Sequence, residues 1–108
     1  MDPSDEPAPR HPACLLVRSG AHAGTRFALR DQETLIGRGP GTDVMLSDDG
    51  VSREHALLCF DEAAGVWMLE DLQSTNGTRV NGKRIRSVAL QPEDELQIGR
   101  TRISFVVE

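Results

Sequence analysis

The chain has 108 residues, the size of one domain, and its hydrophobic share of 38% allows one modest core. Its 17 acidic and 12 basic residues give a formal charge of -5, which argues against nucleic-acid binding and against attachment to anionic lipid, because both need clustered basic charge. No apolar run is long enough to cross a bilayer, and no apolar stretch follows Met1 as in a signal peptide, so we expect a cytoplasmic protein.

The first residues differ in composition from the rest of the chain. Residues 1–12 hold four of the 6 prolines and have no apolar period, which predicts a disordered lead or linker before a domain over 13–108. The first predicted strand contains Cys14, and a later one contains Cys59. Both lie within apolar runs, so we expect buried thiols in a reducing compartment, although the sequence leaves a disulfide open.

Short apolar or alternating segments separated by turn residues follow along the chain and predict strands. The segments are 14–18, 25–29, 33–36, 43–46, 56–60, 66–70, 78–80, 83–85, 88–90, 95–98 and 101–107. The run 56–60 is almost continuously apolar, which favours a central strand covered on both faces. Asn81-Gly82 between two short strands predicts a tight hairpin, because both positions need positive φ. We therefore predict an all-β sandwich of about eleven strands in two antiparallel sheets.

The turns are rich in groups that suit an anion. Arg38 lies beside three glycines, which let a backbone approach closely, and arginine favours bidentate phosphate binding. A nucleotide-binding P-loop is excluded because the required lysine and the following helix are absent. The histidines and cysteines lack zinc-ligand spacing, so no metal and no cofactor is expected. The predicted hairpin carries a small basic patch formed by Arg79, Lys83, Arg84 and Arg86. We interpret it as the ordinary charge of a strand edge.

Ser52 and His55 lie three residues apart and allow three interpretations. They could be a nucleophile and its base, but no Gly-x-Ser-x-Gly elbow and no third group accompany them. They could form a plain turn in which His55 satisfies backbone groups. In the third interpretation, the Ser52 hydroxyl donates to a bound anion and His55 supports the loop as a strut.

Four short motifs occur in a fixed order along the chain. They are Gly37-Arg38, Ser52-Arg53-x-His55, Ser74-Thr75-Asn76-Gly77-Thr78 and Val80-Asn81-Gly82. With the all-β pattern, they make the chain from 14 to 107 similar to a forkhead-associated (FHA) domain, an eleven-stranded β-sandwich that binds phosphothreonine peptides through loops at one end.

The resemblance implies a role for individual residues. Arg38 and Ser52 would bind the phosphate, with help from Arg53 and Thr75, and Asn76 would hold the peptide main chain. The residues that would shape the loops are Gly37, His55, Gly77 and Asn81. Residues 39–43 and 53–54 would choose the residue three places after the phosphothreonine, without a readable preference.

The expected function is therefore non-enzymatic, with no catalytic residues. We expect a module that binds a threonine-phosphorylated protein or peptide, as a regulatory part of a larger signalling protein, with neither nucleic acid nor membrane as a partner. A phospho-independent scaffold or self-association domain on the same fold is the alternative. A small hydrolase using Ser52 and His55 is a further rival. The oligomeric state, the partner and its kinase stay open.

Overall fold

The computed structural model describes residues 12–29 and 32–107, and within them the chain forms eleven strands and no helix. In chain order the strands are β1 (Ala13–Val17), β2 (Arg26–Leu29), β3 (Glu33–Gly37), β4 (Val44–Met45), β5 (Ala56–Asp61), β6 (Val66–Asp71), β7 (Thr78–Val80), β8 (Lys83–Ile85), β9 (Ser87–Ala89), β10 (Glu95–Ile98) and β11 (Thr101–Val107). The predicted lead lies outside the described residues except for Pro12, which is exposed and precedes β1.

The strands form two sheets that enclose one core. A six-stranded sheet has the order β2-β1-β11-β10-β7-β8, and a five-stranded sheet has the order β4-β3-β5-β6-β9. Alternate residues of each strand point inward, as the period of two requires. Leu15, Ile103 and Leu96 enter the core from the larger sheet, and Leu58 and Leu69 enter it from the smaller one; all five are fully buried. The predicted β-sandwich is confirmed.

One pairing differs from the expectation of purely antiparallel sheets. β4 runs parallel to β3, with Ile36 opposite Val44 and Gly37 opposite Met45. Between them the chain makes a compact loop, in which the Thr42 hydroxyl donates to the Gly39 carbonyl at 2.8 Å. The Asp43 carboxylate then accepts from the Leu35 amide at 2.8 Å, which brings β4 back alongside β3 in the same direction. These side-chain bonds, together with backbone bonds from Asp43 N to Leu35 O and from Leu46 N to Gly37 O, each at 2.8 Å, hold β4 in this direction, which strand periodicity does not specify.

β5 lies at the centre of the smaller sheet, as predicted, but it is not covered on both faces. Ala56 and Leu58 are buried, whereas Leu57, Cys59 and Phe60 are only half-buried, because no second layer covers the outer face of this sheet among the described residues. Both cysteines are free thiols, and Cys14 is the buried one of the two.

The strand directions decide which loops meet. The loops after β3, β4 and β6 lie at one end of the sandwich, here called the loop end. β7 leads away from it, so the predicted Asn81-Gly82 hairpin lies at the opposite end, the far end. Both turn residues have positive φ, 51° and 84°, which confirms the tight turn.

Candidate functional site

The loop after β3 and the loop after β4 are held against each other by their backbones. Arg38 N donates to Ser52 O at 3.0 Å, and Gly39 N donates to Arg53 O at 3.0 Å. A Cβ on Gly37 would lie 2.1 Å from the Arg53 carbonyl oxygen, so only glycine fits this contact. This close approach brings Arg38 and Arg53, one on each loop, near each other at the loop end.

His55 connects the second of these loops to the loop after β6. Its side chain is 0% exposed. Nδ1 accepts from the Ser52 amide at 3.0 Å, and Nε2 lies 2.9 Å from the Gly77 carbonyl oxygen. Because a backbone N–H can only donate and a carbonyl can only accept, Nδ1 must be unprotonated and Nε2 must carry the proton. The neutral ring is a strut between two loops.

The same geometry contradicts the nucleophile-and-base interpretation of Ser52 and His55. The histidine contacts the Ser52 backbone amide and not its hydroxyl, and its other nitrogen is engaged by Gly77. The Ser52 hydroxyl oxygen instead accepts from the Thr75 amide at 3.1 Å. His55 is therefore not placed to take a proton from Ser52.

The loop after β6 is organised by Asp71, which the sequence analysis did not single out. Its carboxylate accepts from the hydroxyls of Ser74 at 2.5 Å and Thr78 at 2.7 Å, and from the Ser74 amide at 3.2 Å. The Ser74 oxygen in turn accepts from the Gly77 amide at 2.9 Å. Burial raises the pKa of Asp71, but these hydrogen bonds outweigh it and hold the pKa below its ordinary value of 3.8. The signal available in the sequence was an aspartate three residues before a serine, which is typical of a side-chain-capped turn.

Asp48 supports the loop after β4 in the same way. Its carboxylate accepts from the amides of Gly50 and Arg100 and from the Thr101 hydroxyl, each at 2.8 Å. Burial raises the pKa of Asp48, but these hydrogen bonds and the Arg100 charge hold it below its ordinary value. The turn between β10 and β11 is thereby tied to the loop end.

Five residues predicted to bind the peptide meet at this end. Arg38 is exposed, and its Nε donates to the Val51 carbonyl at 3.1 Å. The Asn76 side-chain amide donates to the Gly50 carbonyl at 2.9 Å. Ser52 and Thr75 are joined by the bond described above, and Arg53 is exposed beside them. Among the described residues, no carboxylate forms an ion pair with Arg38 or Arg53.

Asn81 is not part of this group. At the far end its side-chain amide donates to the Asp94 carboxylate at 2.9 Å, and its side-chain oxygen accepts from the Glu95 amide at 3.0 Å. Asn81 therefore shapes the β7–β8 turn and the segment before β10, whereas Gly37, His55 and Gly77 shape the loop end.

Two kinds of feature are absent from the described part of the chain. No group of three or more His, Cys, Asp or Glu side chains there has the arrangement needed to hold a metal ion. No helix in that part is long and apolar enough to span a membrane.

Known proteins resemble this chain in sequence and in structure. An oxoglutarate dehydrogenase inhibitor of Corynebacterium efficiens is 42% identical over 98 residues, which are 91% of this chain and 68% of that protein. The glycogen accumulation regulator GarA of Mycolicibacterium smegmatis is 41% identical over 101 residues, 94% of this chain and 63% of GarA. A solved structure from an analysis of phosphothreonine-dependent FHA domain interactions superimposes with a TM-score of 0.82 at 33% identity, and the match covers 90% of this chain and 97% of that one.

The family model described as FHA domain matches residues 34–99, which include every strand from β4 to β10 and all the loops of the loop end. The match covers more than half of the chain, and it agrees with the resemblance seen in the four motifs. The chain therefore belongs to the FHA domain family.

Proposed function

We propose that this domain binds threonine-phosphorylated segments of protein partners at the loop end. The observation that carries the proposal is the pair of exposed arginines, Arg38 and Arg53, on loops braced from below and with no carboxylate partner among the described residues. Guanidinium groups left available in this way suit a phosphate dianion, which accepts charge-assisted hydrogen bonds.

Each of the remaining residues has a free hydrogen-bonding group. The Ser52 hydroxyl accepts from Thr75 and keeps its own hydrogen to donate to a phosphate oxygen. The Thr75 hydroxyl supplies another donor. Asn76 is anchored through its amide nitrogen, which leaves its side-chain oxygen to accept from a peptide N–H. A groove of about 450 Å³ gives room for residues that flank the phosphothreonine, and it is lined by Asp48, Asp49, Gly50, Asn76, Gly99 and Arg100.

The hydrogen bonds that connect the loops reduce the conformational entropy that is lost on binding. Every loop of the loop end is tied to another by a hydrogen bond, through His55, through Asp48 or through backbone pairs. A site that is already ordered loses little conformational freedom when the peptide arrives. We infer a preformed site rather than one that folds on binding.

The names of the relatives suggest the biological class. One is an inhibitor of oxoglutarate dehydrogenase and another a regulator of glycogen accumulation. Both names describe regulators, and for this chain we propose a non-catalytic regulator that works by protein contact in the cytoplasm. The chain spans about two thirds of these relatives, so the domain over 13–108, preceded by a lead over 1–12, would be the binding part of a signalling protein.

A titration with matched peptides tests the proposal. An oriented phosphothreonine library first gives a preferred sequence, and calorimetry then compares that peptide with its unphosphorylated and phosphoserine forms. Binding only of phosphorylated forms, with a preference for phosphothreonine, is expected. Burial of the extra methyl group contributes about 0.8 kcal/mol if it enters an apolar niche. Equal binding of the unphosphorylated peptide would instead support the phospho-independent scaffold.

A further inference from the structure

The outer face of the six-stranded sheet carries a row of arginines that runs across the strands. Gln97 of β10 lies between Arg102 of β11 and Arg79 of β7, and Arg79 lies opposite Arg84 of β8. At the other end of the row, Arg18 N donates to the Arg102 carbonyl at 2.7 Å, which places Arg18 beside Arg102. We call Arg18, Arg102, Arg79 and Arg84 the arginine row.

All four arginines are exposed, and strand neighbours of three of them, Ile103, Val80 and Ile85, pack in or against the core on the inner face of the sheet. Strands are about 4.8 Å apart, so the row from Arg18 to Arg84 spans about 19 Å. The row is unusual in a chain of net charge -5. The one acid on the described outer face of this sheet is Glu95, whose carboxylate lies 3.7 Å from Arg102 Nε, with both side chains more than half exposed.

The row is unfavourable for the isolated domain. Like charges directly opposite each other on neighbouring strands repel, and Arg79 and Arg84 form such a pair. An exposed ion pair such as Arg102 with Glu95 offsets little of this repulsion. A bound anion would remove it.

The row begins at the candidate phosphopeptide site. The Arg84 side chain lies over Gly77, where an added Cβ would be 2.7 Å from Arg84 Nε. Gly77 follows Asn76 directly, and its carbonyl is the partner of the His55 strut. A chain bound at the loop end could therefore continue onto the outer face of the sheet without leaving the surface.

We propose that the arginine row docks an acidic segment of the same partner that carries the phosphothreonine. The inference rests on the proposed function, and it adds a second contact surface to it. An extended segment of about six residues covers about 20 Å, which matches the length of the row. Arginine pairs well with carboxylates because its planar guanidinium can bind both oxygens. A nucleic acid carries negative charge along its whole length. The acidic remainder of the domain would therefore repel the parts of it that extend beyond the arginine row.

Peptides and variants separate the two contacts. The peptides are a short phosphothreonine peptide, the same peptide with six acidic residues added before or after it, and an unphosphorylated acidic peptide. The variant Arg79→Gln/Arg84→Gln removes two charges from the row. The matched control Lys83→Gln/Arg86→Gln removes the same charge from the same hairpin, but Lys83 lies on the other face of β8 and Arg86 lies beyond its end. Fluorescence anisotropy gives each affinity at low and high salt.

The acidic extension on one side should tighten binding to the wild-type domain. Arg79→Gln/Arg84→Gln should then weaken binding of the extended peptide by about two- to thirtyfold, as expected for two exposed charge pairs. The single variant Arg79→Gln, which leaves the Arg84 side chain in place over Gly77, should not change binding of the short peptide, and the control variant should bind both peptides as the wild type does. The difference should disappear at high salt, because exposed charges are screened.

Several outcomes would overturn the proposal. If the short phosphopeptide binds but no extension on either side tightens it, or if the control variant loses as much, the row docks no acidic segment. A single-stranded RNA that competes better than the acidic peptide would assign the row to nucleic acid instead. If phosphorylation makes no difference, the proposed function fails, and the unphosphorylated acidic peptide then tests the row by itself. If the unphosphorylated acidic peptide binds the wild type and Arg79→Gln/Arg84→Gln with equal affinity, the proposal for the arginine row fails as well.

Discussion

The two ends of the sandwich are built from similar parts but carry different charge. Each has a turn with residues at positive φ and a network in which Asp or Asn side chains hold backbone amides. At the loop end, Arg38 and Arg53 are exposed above this network. At the far end the groups around Asn81 are Asp94 and Glu95. On the proposed function, the exposed arginines, and not the braced polar loops alone, make the loop end suitable for an anion.

The ends also differ in the burial of their braces. His55 and Thr78 are fully buried at the loop end, whereas the hydrogen bonds of Asn81 are exposed to solvent. A buried polar group that loses its partner stays unsatisfied, but an exposed one turns to water. Removing the buried brace His55 should therefore cost more stability than removing the exposed brace Asn81, and only changes at the loop end should affect binding.

The largest effect is expected from His55→Ala. The substitution leaves a cavity and removes the partners of the Ser52 amide and the Gly77 carbonyl, so we expect a loss of about 3–5 kcal/mol of unfolding free energy. Peptide affinity should fall too, because two loops lose their brace. Urea unfolding followed by Trp67, the one tryptophan, measures the stability. Ser52→Ala is the control and should lower peptide affinity with little loss of stability. A His55→Ala protein as stable as the wild type would contradict the strut role of His55.

Arg38→Ala comes next and should act mainly on binding. Loss of a charge-assisted hydrogen bond costs about 1.5–3 kcal/mol, equivalent to a roughly 10- to 150-fold weaker phosphopeptide affinity. The melting temperature should fall only slightly, because the exposed side chain gives up one hydrogen bond within the domain, to the Val51 carbonyl. Calorimetric titration measures the affinity, and Arg38→Lys should fall in between, since it keeps the charge but not the planar fork. Unchanged affinity in folded Arg38→Ala protein would contradict the phosphate assignment.

Asn81→Ala, at the far end, should lower stability without changing peptide affinity. It removes two side-chain hydrogen bonds and places alanine at a φ of 51°, which should cost about 1–2 kcal/mol of stability. Phosphopeptide affinity should stay at the wild-type value. Asn81→Gly tolerates the positive φ and should recover part of the stability. If Asn81→Ala weakened peptide binding as strongly as Arg38→Ala, the two ends would not be separate.

Asp71→Asn should have the smallest effect at neutral pH, about 1 kcal/mol, because the amide keeps one acceptor oxygen. Its clearer signature is in acid. The pKa of Asp71 is lowered in the folded state, so its carboxylate stabilises the domain above the ordinary pKa of 3.8, and this stabilisation is lost as pH falls through the lowered folded value. Wild-type stability should therefore fall more steeply than that of Asp71→Asn below about pH 4. Parallel stability curves would show that Asp71 does not organise its loop.

Local features of the sequence determined the strands. The predicted segments 78–80, 83–85, 95–98 and 101–107 coincide with β7, β8, β10 and β11, because a period of two and adjacent turn residues are readable within a few positions. The Asn81-Gly82 turn was predictable for the same reason, since positive φ restricts the residue type. Family motifs also indicated Arg38, Ser52 and Asn76, which the fold brings to one end.

Only the tertiary structure decided which segments meet. The pairing of β1 with β11 joins the first described strand to the last, and no local pattern specifies it. The parallel β3–β4 pair, the tautomer of His55 and the bonds of Asp71 likewise depend on groups brought together by folding. The arginine row is the clearest case: Arg18, Arg79 and Arg102 lie far apart in sequence, and each looks like an ordinary surface charge. Strand order and register place them in one line, because a cross-strand neighbour is set by packing of the whole sandwich and not by sequence distance.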